Sequence, residues 1–459
     1  MAIRESSYGY WSSHRRFLWV AGGAAIGIGN IARLPYLAGE YGGAVFLAVY
    51  LLALVLLAWP VMMAEWIIGR WMREDLINGL ARLASAGRTH RAWIAIGALS
   101  LTSAVLILSY YSVIAGWSLA YTFRAAGGVL AGLNAESSRS VFFAVAQDPE
   151  RSLAWHTIFM VTVCIVVAHG VRDGMERAAA YLVPCSFLLI LGVLAYAFNV
   201  GDGHAALVHL LKPDWSHFGW RGAFEAIQQA YFTMALGLGA MVAYGSYLPA
   251  PAPLARLAAG VLLLDTLFSL IAGCALYALI FAAGLDPAPG LTLLFQELPL
   301  AMTTPAGVLA LTAVYLVLFL ITLTAAMALM EPAVRFLVER LRITRVFAAI
   351  ASAMITWYLG LATLLSFNVW ENFRWWDRNV FDWLQWLTAQ WLMPTTGLLL
   401  CIYISRILPP ELKSELWGER APRLEAAWTW LLRYPARLAL IALLLYGTGA
   451  VDYLISFWS

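Results

Sequence analysis

Two short stretches decide how this chain folds: residues 25–29 read Ala-Ile-Gly-Ile-Gly, and residues 235–239 read Ala-Leu-Gly-Leu-Gly. Glycine costs about 1 kcal/mol in a helix interior, so each pair of glycines predicts a point where an apolar helix unwinds. Unwound backbone inside a bilayer is tolerated only where it lines a cavity. One such stretch alone is better explained by close helix packing, but a matched pair favours a cavity between two broken helices.

The composition around these stretches is that of an integral membrane protein. Of 459 residues, 62% are hydrophobic and only 12% are charged, whereas soluble domains are about 25% charged. The net charge of +3 is too small to suggest a nucleic-acid partner. The four cysteines lie in apolar runs without CxxC spacing, so they indicate small core residues and exclude both a disulfide scaffold and a cysteine metal site.

Eleven apolar runs approach the roughly 20 residues that cross a bilayer as a helix, and no alternating strand pattern of the outer-membrane type occurs. The chain is therefore predicted to be an all-α polytopic membrane protein. The runs lie near residues 17–38, 42–69, 92–124, 154–169, 177–199, 223–248, 255–284, 305–338, 345–367, 380–405 and 430–457.

Charge placement predicts the orientation of these spans. With the N-terminus inside, 21 Lys and Arg residues fall in cytoplasmic segments and 7 outside, as the positive-inside rule requires. An odd number of spans then puts the C-terminus outside. The two glycine stretches are five spans apart and so cross in opposite senses, which is typical of inverted repeats around a transport site. We expect one repeat in residues 1–199, its inverted copy in 200–407, and a cytoplasmic link with an eleventh helix in 408–459.

Charged side chains inside a membrane are rare and usually functional; here they are Arg33, Glu65, Asp265 and Glu331. Glu65 fits either an acceptor for broken-helix amides or a proton relay. Asp265, with Thr266 and Ser269 near the same helical face, favours a monovalent cation ligand over a structural carboxylate. His156 and His169 show no ligand spacing and are expected in interfaces or loops.

The chain resembles the neurotransmitter:sodium symporter family over nearly its whole length. The motifs that carry this resemblance are Trp11, 27–36 (GIGNIARLPY), 42–46 (GGAVF), Pro60, Glu65, Gly69, 109–111 (SYY), Trp117, Gly170, 174–177 (GMER), Pro184, 229–233 (QAYFT), Tyr247, 272–273 (AG), 323–324 (LT) and 366–370 (SFNVW). The resemblance is to the eleven-helix bacterial branch. It implies the LeuT fold, with two inverted five-helix repeats, an additional helix, and breaks in helices 1 and 6.

The function that this resemblance implies is sodium-coupled symport of neutral, hydrophobic amino acids across the inner membrane by alternating access. The alternative is a proton-coupled or sodium-independent carrier of the same fold. An enzyme is not expected, because no catalytic motif such as HExxH or GxSxG occurs. Neither a nucleic acid nor an obligate protein partner is implied; the partners are the bilayer and a small amino acid.

The resemblance also implies two sodium sites. The first would use the carbonyl of Ala25 and the side chains of Asn30, Thr233 and Asp265. The second would use the carbonyls of Gly23, Ile26 and Ile321 and the hydroxyl of Thr324. The family usually has a Thr-Ser pair where this chain has Thr324 and Ala325, so the second site would lack one hydroxyl ligand.

The substrate pocket implied in the same way is lined by Ala25, Gly27, Gly29, Ile107, Tyr111, Phe232, Ala235, Leu238, Ala325 and Leu329. Monoamine carriers have an Asp where this chain has Gly27, which favours a substrate with a free carboxylate. Break amides at a positive half-helix end suit that carboxylate, and Tyr111 would give it a hydroxyl hydrogen bond. The remaining subsite is apolar.

Gates and an anion site complete the expectations. Arg33 would form the outer gate beside the Phe232 lid, with Gln385 or Asp382 as its partner. Tyr8 stands where the family has an inner-gate Arg, opposite Glu339, and Arg4 is a candidate substitute. The chloride-site positions of the animal members are Tyr50, Gln229, Thr233 and Ser269; the nearby Asp265 carboxylate would repel an anion, so we expect sodium to be required and chloride not.

Overall fold

A computed structural model describes residues 8–86, 89–249, 251–302, 304–407 and 422–449. Within these ranges the chain is helical and has no β-strand, only an isolated bridge between Trp375 and Arg378. The predicted all-α class is therefore confirmed. Parts of the predicted cytoplasmic link and of the last predicted span lie outside the described residues.

The main helices are numbered in their order along the chain. They are α1 (His14–Ala25), α2 (Ile28–Glu40), α3 (Ala44–Met72), α4 (Leu76–Ser85), α5 (Arg91–Ala126), α6 (Ala135–Ala146), α7 (Pro149–Ala168), α8 (Val171–Val200), α9 (Gly203–Leu211), α10 (Trp220–Thr233), α11 (Ala240–Ser246), α12 (Leu254–Ala282), α13 (Pro305–Leu341), α14 (Arg345–Leu365), α15 (Val380–Ile407) and α16 (Arg423–Gly447).

Eleven predicted spans correspond to these helices. In the described parts of the chain, nine helices are long and apolar enough to cross a membrane, and the pair α1 and α2, bent by 64°, makes a tenth span. The remaining predicted span is the pair α10 and α11, whose halves are too short to span singly. Both predicted breaks, in the first and the sixth span, are thus present.

The long helices α5 and α13 pack along each other through the centre of the molecule, and α1 lies against α8, α12 and α13. The half-helix α11 lies backbone to backbone against α3. A Cβ on Gly69 would sit 1.9 Å from the Val242 carbonyl oxygen, and one on Gly245 would sit 2.5 Å from the Cα of Trp66. Glycine at 69 and 245 therefore allows the close helix approach that fixes the second broken span.

Candidate functional site

The first break separates α1 from α2. Ile26 still donates its N–H to the Gly22 carbonyl (2.9 Å), but its own backbone is extended (φ −74°, ψ 120°). Gly27 is extended as well, and its N–H donates to Oδ1 of Asn30 at 2.8 Å. The Asn30 side chain therefore supplies a partner for a backbone group that has left the helical pattern.

The second break lies between α10 and α11, where Ala235 (φ 51°), Gly237 (φ 76°) and Gly239 (φ 71°) all have left-handed backbone. The N–H of Gly237 donates to Oε1 of Glu65 at 2.7 Å. A Cβ on Gly237 would lie 2.7 Å from the Met393 carbonyl oxygen, so this position needs glycine for both its φ and its surroundings. Of the two roles open to Glu65, the acceptor for a broken-helix amide is observed.

Asp265 is the centre of a buried polar cluster. Its carboxylate accepts hydrogen bonds from Nδ2 of Asn30 (2.6 Å), the Thr233 hydroxyl (2.8 Å) and the Tyr50 hydroxyl (2.9 Å). The same Asn30 Nδ2 donates to the Ser269 hydroxyl at 2.8 Å. In the described ranges no cationic side chain pairs with this fully buried carboxylate. A buried carboxylate without a charged partner is costly, so the donor set fits a small monovalent cation.

The second predicted ion site lies where α1 meets α13. Thr324 donates its hydroxyl to the Ile321 carbonyl at 2.9 Å. Gly23 comes so close that a Cβ there would be 3.3 Å from the Thr324 hydroxyl oxygen. Ile26 stands at the end of α1, and Ala325 follows Thr324 with no hydroxyl to add. Three of the four predicted ligands therefore meet where α1 packs against α13: Gly23, Ile321 and Thr324. This contact offers one hydroxyl and backbone carbonyls.

A cavity enclosing about 510 Å³, part of it open to solvent, lies between the two breaks. All ten predicted substrate residues line it: Ala25, Gly27, Gly29, Ile107, Tyr111, Phe232, Ala235, Leu238, Ala325 and Leu329. Its polar side chains are Asn30, Tyr111, Gln229 and Thr233. The cavity can therefore accept a molecule with a small polar end and an apolar remainder.

Two of these polar side chains are available to a ligand. The hydroxyl of Tyr111 points at the first break, because a Cβ on Gly27 would lie 3.0 Å from it. Among the described residues, no side chain hydrogen-bonds the Tyr111 hydroxyl or either amide atom of Gln229. Buried polar groups normally have partners, so these atoms indicate where a polar ligand group would be bound.

Arg33, beyond the first break, has different partners from those predicted. Its Nη2 forms an ion pair with Oε2 of Glu225 at 2.8 Å and donates to Oε1 of Gln228 at 2.9 Å. Gln385 and Asp382 do not contact it; Asp382 instead caps the first turn of α15. The predicted Arg33 pairing was wrong because the acid comes from α10, where Glu225 and Gln228 share one helical face.

Tyr8 and Glu339, the predicted inner pair, do lie together, but the cation between them is Arg335. Its Nη2 donates to Glu339 at 2.9 Å, and its guanidinium lies 5.5 Å from the Tyr8 ring centre and 5.1 Å from that of Tyr247. Burial and the Glu339 carboxylate raise the pKa of Tyr8, so the phenol stays protonated and able to donate. Arg4, the predicted substitute, lies outside the described residues.

Most of the predicted anion site is engaged with Asp265. The hydroxyls of Tyr50 and Thr233 donate to its carboxylate, and Ser269 donates to its backbone carbonyl at 2.9 Å. Only Gln229 keeps its polar atoms free in the part of the chain that the structure describes. A carboxylate thus takes the hydrogen bonds that an anion would need.

Two further residues are placed by contacts that the sequence did not indicate. Glu331 forms a two-pronged ion pair with Arg345 (2.9 and 2.5 Å) and accepts from the Tyr247 hydroxyl at 2.5 Å. His156, expected in an interface or loop, is fully buried and contacts the Trp357 carbonyl at 3.2 Å. That expectation was wrong, because the histidine joins α7 to α14 inside the helix bundle.

Comparison with known proteins shows what the chain is similar to. The family model described as "Sodium:neurotransmitter symporter family" matches residues 8–138 and 148–407. The sodium-dependent transporter YhdH of Bacillus subtilis (strain 168), itself uncharacterized, is 31% identical over 96% of this chain and 98% of its own. The human sodium-dependent neutral amino acid transporter SLC6A17 is 24% identical over 52% of this chain and 36% of its own.

A solved structure extends the comparison to three dimensions. The crystal structure of MhsT in complex with L-phenylalanine is similar to this chain with a TM-score of 0.87 and 32% identity, over 96% of this chain and 99% of that one. The LeuT fold predicted for the chain is therefore confirmed, and homologues of this kind are transporters rather than enzymes. The chain belongs to the sodium:neurotransmitter symporter family.

Proposed function

We propose that this protein is a sodium-coupled symporter of neutral, hydrophobic amino acids that works by alternating access. The observation that carries the proposal is the cavity between the two broken helices. It combines break amides and the Tyr111 hydroxyl, which no side chain of the described residues binds, with apolar walls such as Ile107, Leu238 and Leu329. Backbone amides at a half-helix end attract a carboxylate, and apolar walls favour an aliphatic or aromatic side chain.

Coupling to sodium is supported by the Asp265 cluster. A sodium ion held by the Ala25 carbonyl, Asn30, Thr233 and Asp265 would neutralise the buried carboxylate and lie beside the cavity that Ala25 and Thr233 also line. The substrate carboxylate would then be attracted to the same ion. Ion and substrate would each favour the binding of the other, which is the requirement for symport.

The same walls indicate which charges the substrate carries. Two positions, Ala235 and Ala325, contribute only methyl groups to the cavity, so the substrate amine would rely on backbone carbonyls of the breaks. MhsT was crystallised with L-phenylalanine, and the human relative SLC6A17 is named a neutral amino acid transporter. Both names agree with a substrate that carries no side-chain charge.

Alternating access needs closures that open in turn on the two sides. The outer closure proposed here is Arg33 with Glu225 and Gln228, which ties α2 to α10. The inner closure is Arg335 with Glu339, Tyr8 and Tyr247, which ties the N-terminal segment to α13. Substrate release to the inside would require the second set to separate while the first stays closed.

Chloride is not part of the proposal, because the Asp265 carboxylate takes the hydroxyl groups of Tyr50 and Thr233. Proton coupling remains the rival. Three acids in the predicted spans could carry a proton: Glu65, Asp265 and Glu331. Glu331 is the least suited of them, because its charge is matched by Arg345.

The deciding experiment is uptake of radiolabelled neutral amino acids into proteoliposomes. We expect uptake with an inward sodium gradient, none with choline, and little change between two external pH values or when gluconate replaces chloride. Uptake that follows a pH gradient in choline would overturn sodium coupling. A Gly27→Asp variant serves as the matched control. A Cβ at position 27 would lie 3.0 Å from the Tyr111 hydroxyl oxygen, and the aspartate would bring a negative charge to the place proposed for the substrate carboxylate.

A further inference from the structure

Three arginines meet where the ends of α15 and α16 come together, far along the chain from the cavity residues. They are Arg406, Arg433 and Arg437. Arg437 donates to the Ser405 hydroxyl and to the Cys401 carbonyl oxygen (3.4 Å), which ties α16 to α15. Arg406 directly follows Ser405, and Arg433 lies one helical turn before Arg437 on α16, so both of their charges lie near that of Arg437. Three like charges are thus held at one point of the surface.

In the part of the chain that the structure describes, no carboxylate balances this cluster. Within residues 8–86, 89–249, 251–302, 304–407 and 422–449, none of the three arginines forms an ion pair with an acid, and the Nε of Arg437 is buried without a partner. The contrast with Arg33, Arg335 and Arg345 is clear, because each of those pairs with a glutamate. Unbalanced positive charge at a fixed point favours binding of an anion.

The surface next to the cluster is apolar and exposed. On α16, the side chains of Tyr434, Leu438, Ile441 and Leu445 are all at least 42% exposed. Their spacing of four, three and four residues puts them on one helical face. Trp430, also on α16, is 55% exposed and lies 6.1 Å from Tyr434 between ring centres. Exposed Trp and Tyr are typical of the membrane–water interface, so the arginines lie at the depth of lipid headgroups.

We propose that Arg406, Arg433 and Arg437 bind the phosphate of an anionic phospholipid whose acyl chains lie along the exposed face of α16. The positive charges and the apolar face adjoin each other, which matches a molecule with an anionic head and hydrocarbon tails. A free phosphate would use the arginines and leave the apolar face without a role. Basic pockets between membrane helices are a known form of lipid recognition. The site is independent of the transport function proposed above.

Such a lipid would stabilise the contact between α15 and α16. Arg437 bridges the two helices already, and a phosphate shared by the three arginines would neutralise their repulsion. We expect the intact protein to unfold at a higher temperature in bilayers that contain the anionic lipid than in bilayers of neutral lipid alone.

The test uses the full chain in nanodiscs of phosphatidylcholine, with and without phosphatidylglycerol or cardiolipin, and of phosphatidylcholine with added inorganic phosphate. The readouts are the thermal midpoint and the anionic lipid retained in native mass spectrometry. Each arginine near the membrane surface contributes about a fivefold change in lipid affinity. We therefore expect Arg433→Gln to lower retention about fivefold and Arg406→Gln/Arg433→Gln about twenty-five-fold.

The matched controls are Arg91→Gln and Arg340→Gln, which remove the same charge from other helices. Equal losses in the controls would overturn the proposal, since they would show general surface attraction. Equal stabilisation by inorganic phosphate would overturn the lipid as the source of the anion, and equal midpoints with and without anionic lipid would overturn the site. Because Arg437 also holds the Ser405 hydroxyl, the exposed Arg406 and Arg433 carry the test, and Arg437→Lys checks whether the planar fork is needed.

Discussion

The two candidate cation sites share the end of α1 but differ in what would hold an ion. The first is built around a buried carboxylate, Asp265, which three side chains hold in place through hydrogen bonds. The second offers the Thr324 hydroxyl and the carbonyls of Gly23, Ile26 and Ile321. The first site would hold an ion with a full negative charge, and the second only with the dipoles of neutral oxygens. A carboxylate competes with the hydration of sodium better than neutral oxygens do.

The difference also concerns what each ion would be coupled to. Asn30 and Thr233 line the cavity and also belong to the first candidate site. An ion bound at that site would therefore interact with the substrate directly. The second site lies in the joint between α1 and α13, where Gly23 touches Thr324. An ion there would hold two helices together rather than attract the substrate. We therefore expect the first site to control substrate affinity and the second to control the conformational equilibrium.

The largest effect expected is that of Asp265→Ala. Removing one partner of a buried charge pair costs about 3–5 kcal/mol, which corresponds to at least about a hundredfold loss in sodium-dependent substrate binding. Binding is measured with a labelled amino acid over a sodium titration.

The control for this change is Asp265→Asn, which keeps an oxygen and the side-chain volume and should retain weakened sodium dependence. A melting curve of each variant checks folding, because the alanine leaves the Tyr50 and Asn30 donors without their acceptor. Unchanged sodium activation in the alanine variant would contradict a cation role for Asp265.

Tyr111→Phe should come next in size. A hydrogen bond to a charged group contributes about 1.5–3 kcal/mol, so we expect amino acids to bind about tenfold more weakly or worse. Apparent sodium affinity should fall with it, since the substrate carboxylate would complete the first ion site. Competition binding with decarboxylated analogues is the control: they should bind the parent poorly and lose little more in the variant. An equal loss for acid and amine ligands would count against the carboxylate pose.

Thr324→Ala should act on the second site alone. It removes the one hydroxyl, whose loss is worth about 0.5–1.5 kcal/mol, so the half-saturating sodium concentration should rise about three- to tenfold. Substrate affinity at saturating sodium should stay the same. Thr322→Ala is the matched control, because Thr322 is also buried on α13 and bonds to a carbonyl of its own helix, that of Phe319. A similar shift in both variants would mean that the change acts through α13 and not through an ion.

Local patterns made the fold accessible from sequence: apolar length predicted the spans, and paired glycines predicted both breaks. The ten cavity residues were accessible in another way, because the resemblance to the family implied them. Partners that come from distant helices were not accessible. Glu225 is 192 positions from Arg33, and Arg345 meets Glu331 only because α13 and α14 fold back on each other. One signal existed: Glu225 and Gln228 lie on one face of a broken helix, where an unpaired acid requires a cation.

The smallest effect, and the sharpest test of the comparison, is expected from Ala325→Ser. The change adds one hydroxyl beside Thr324 with little added volume, and a further neutral ligand of this kind is worth about 1 kcal/mol. If the second site binds sodium weakly, the half-saturating sodium concentration should fall about threefold to fivefold. Ala325 also lines the cavity, so the hydroxyl has a second way to act, on the substrate itself. Two titrations separate the effects: sodium at fixed substrate, and substrate at saturating sodium. If the hydroxyl acts only through the ion, the sodium titration shifts and the substrate titration at saturating sodium stays unchanged.

The control is Ala326→Ser, one residue further along α13 and outside the cavity lining. Identical sodium curves for the parent and Ala325→Ser at fixed pH would show that this joint does not bind sodium, and would leave Asp265 as the one candidate cation site at the end of α1.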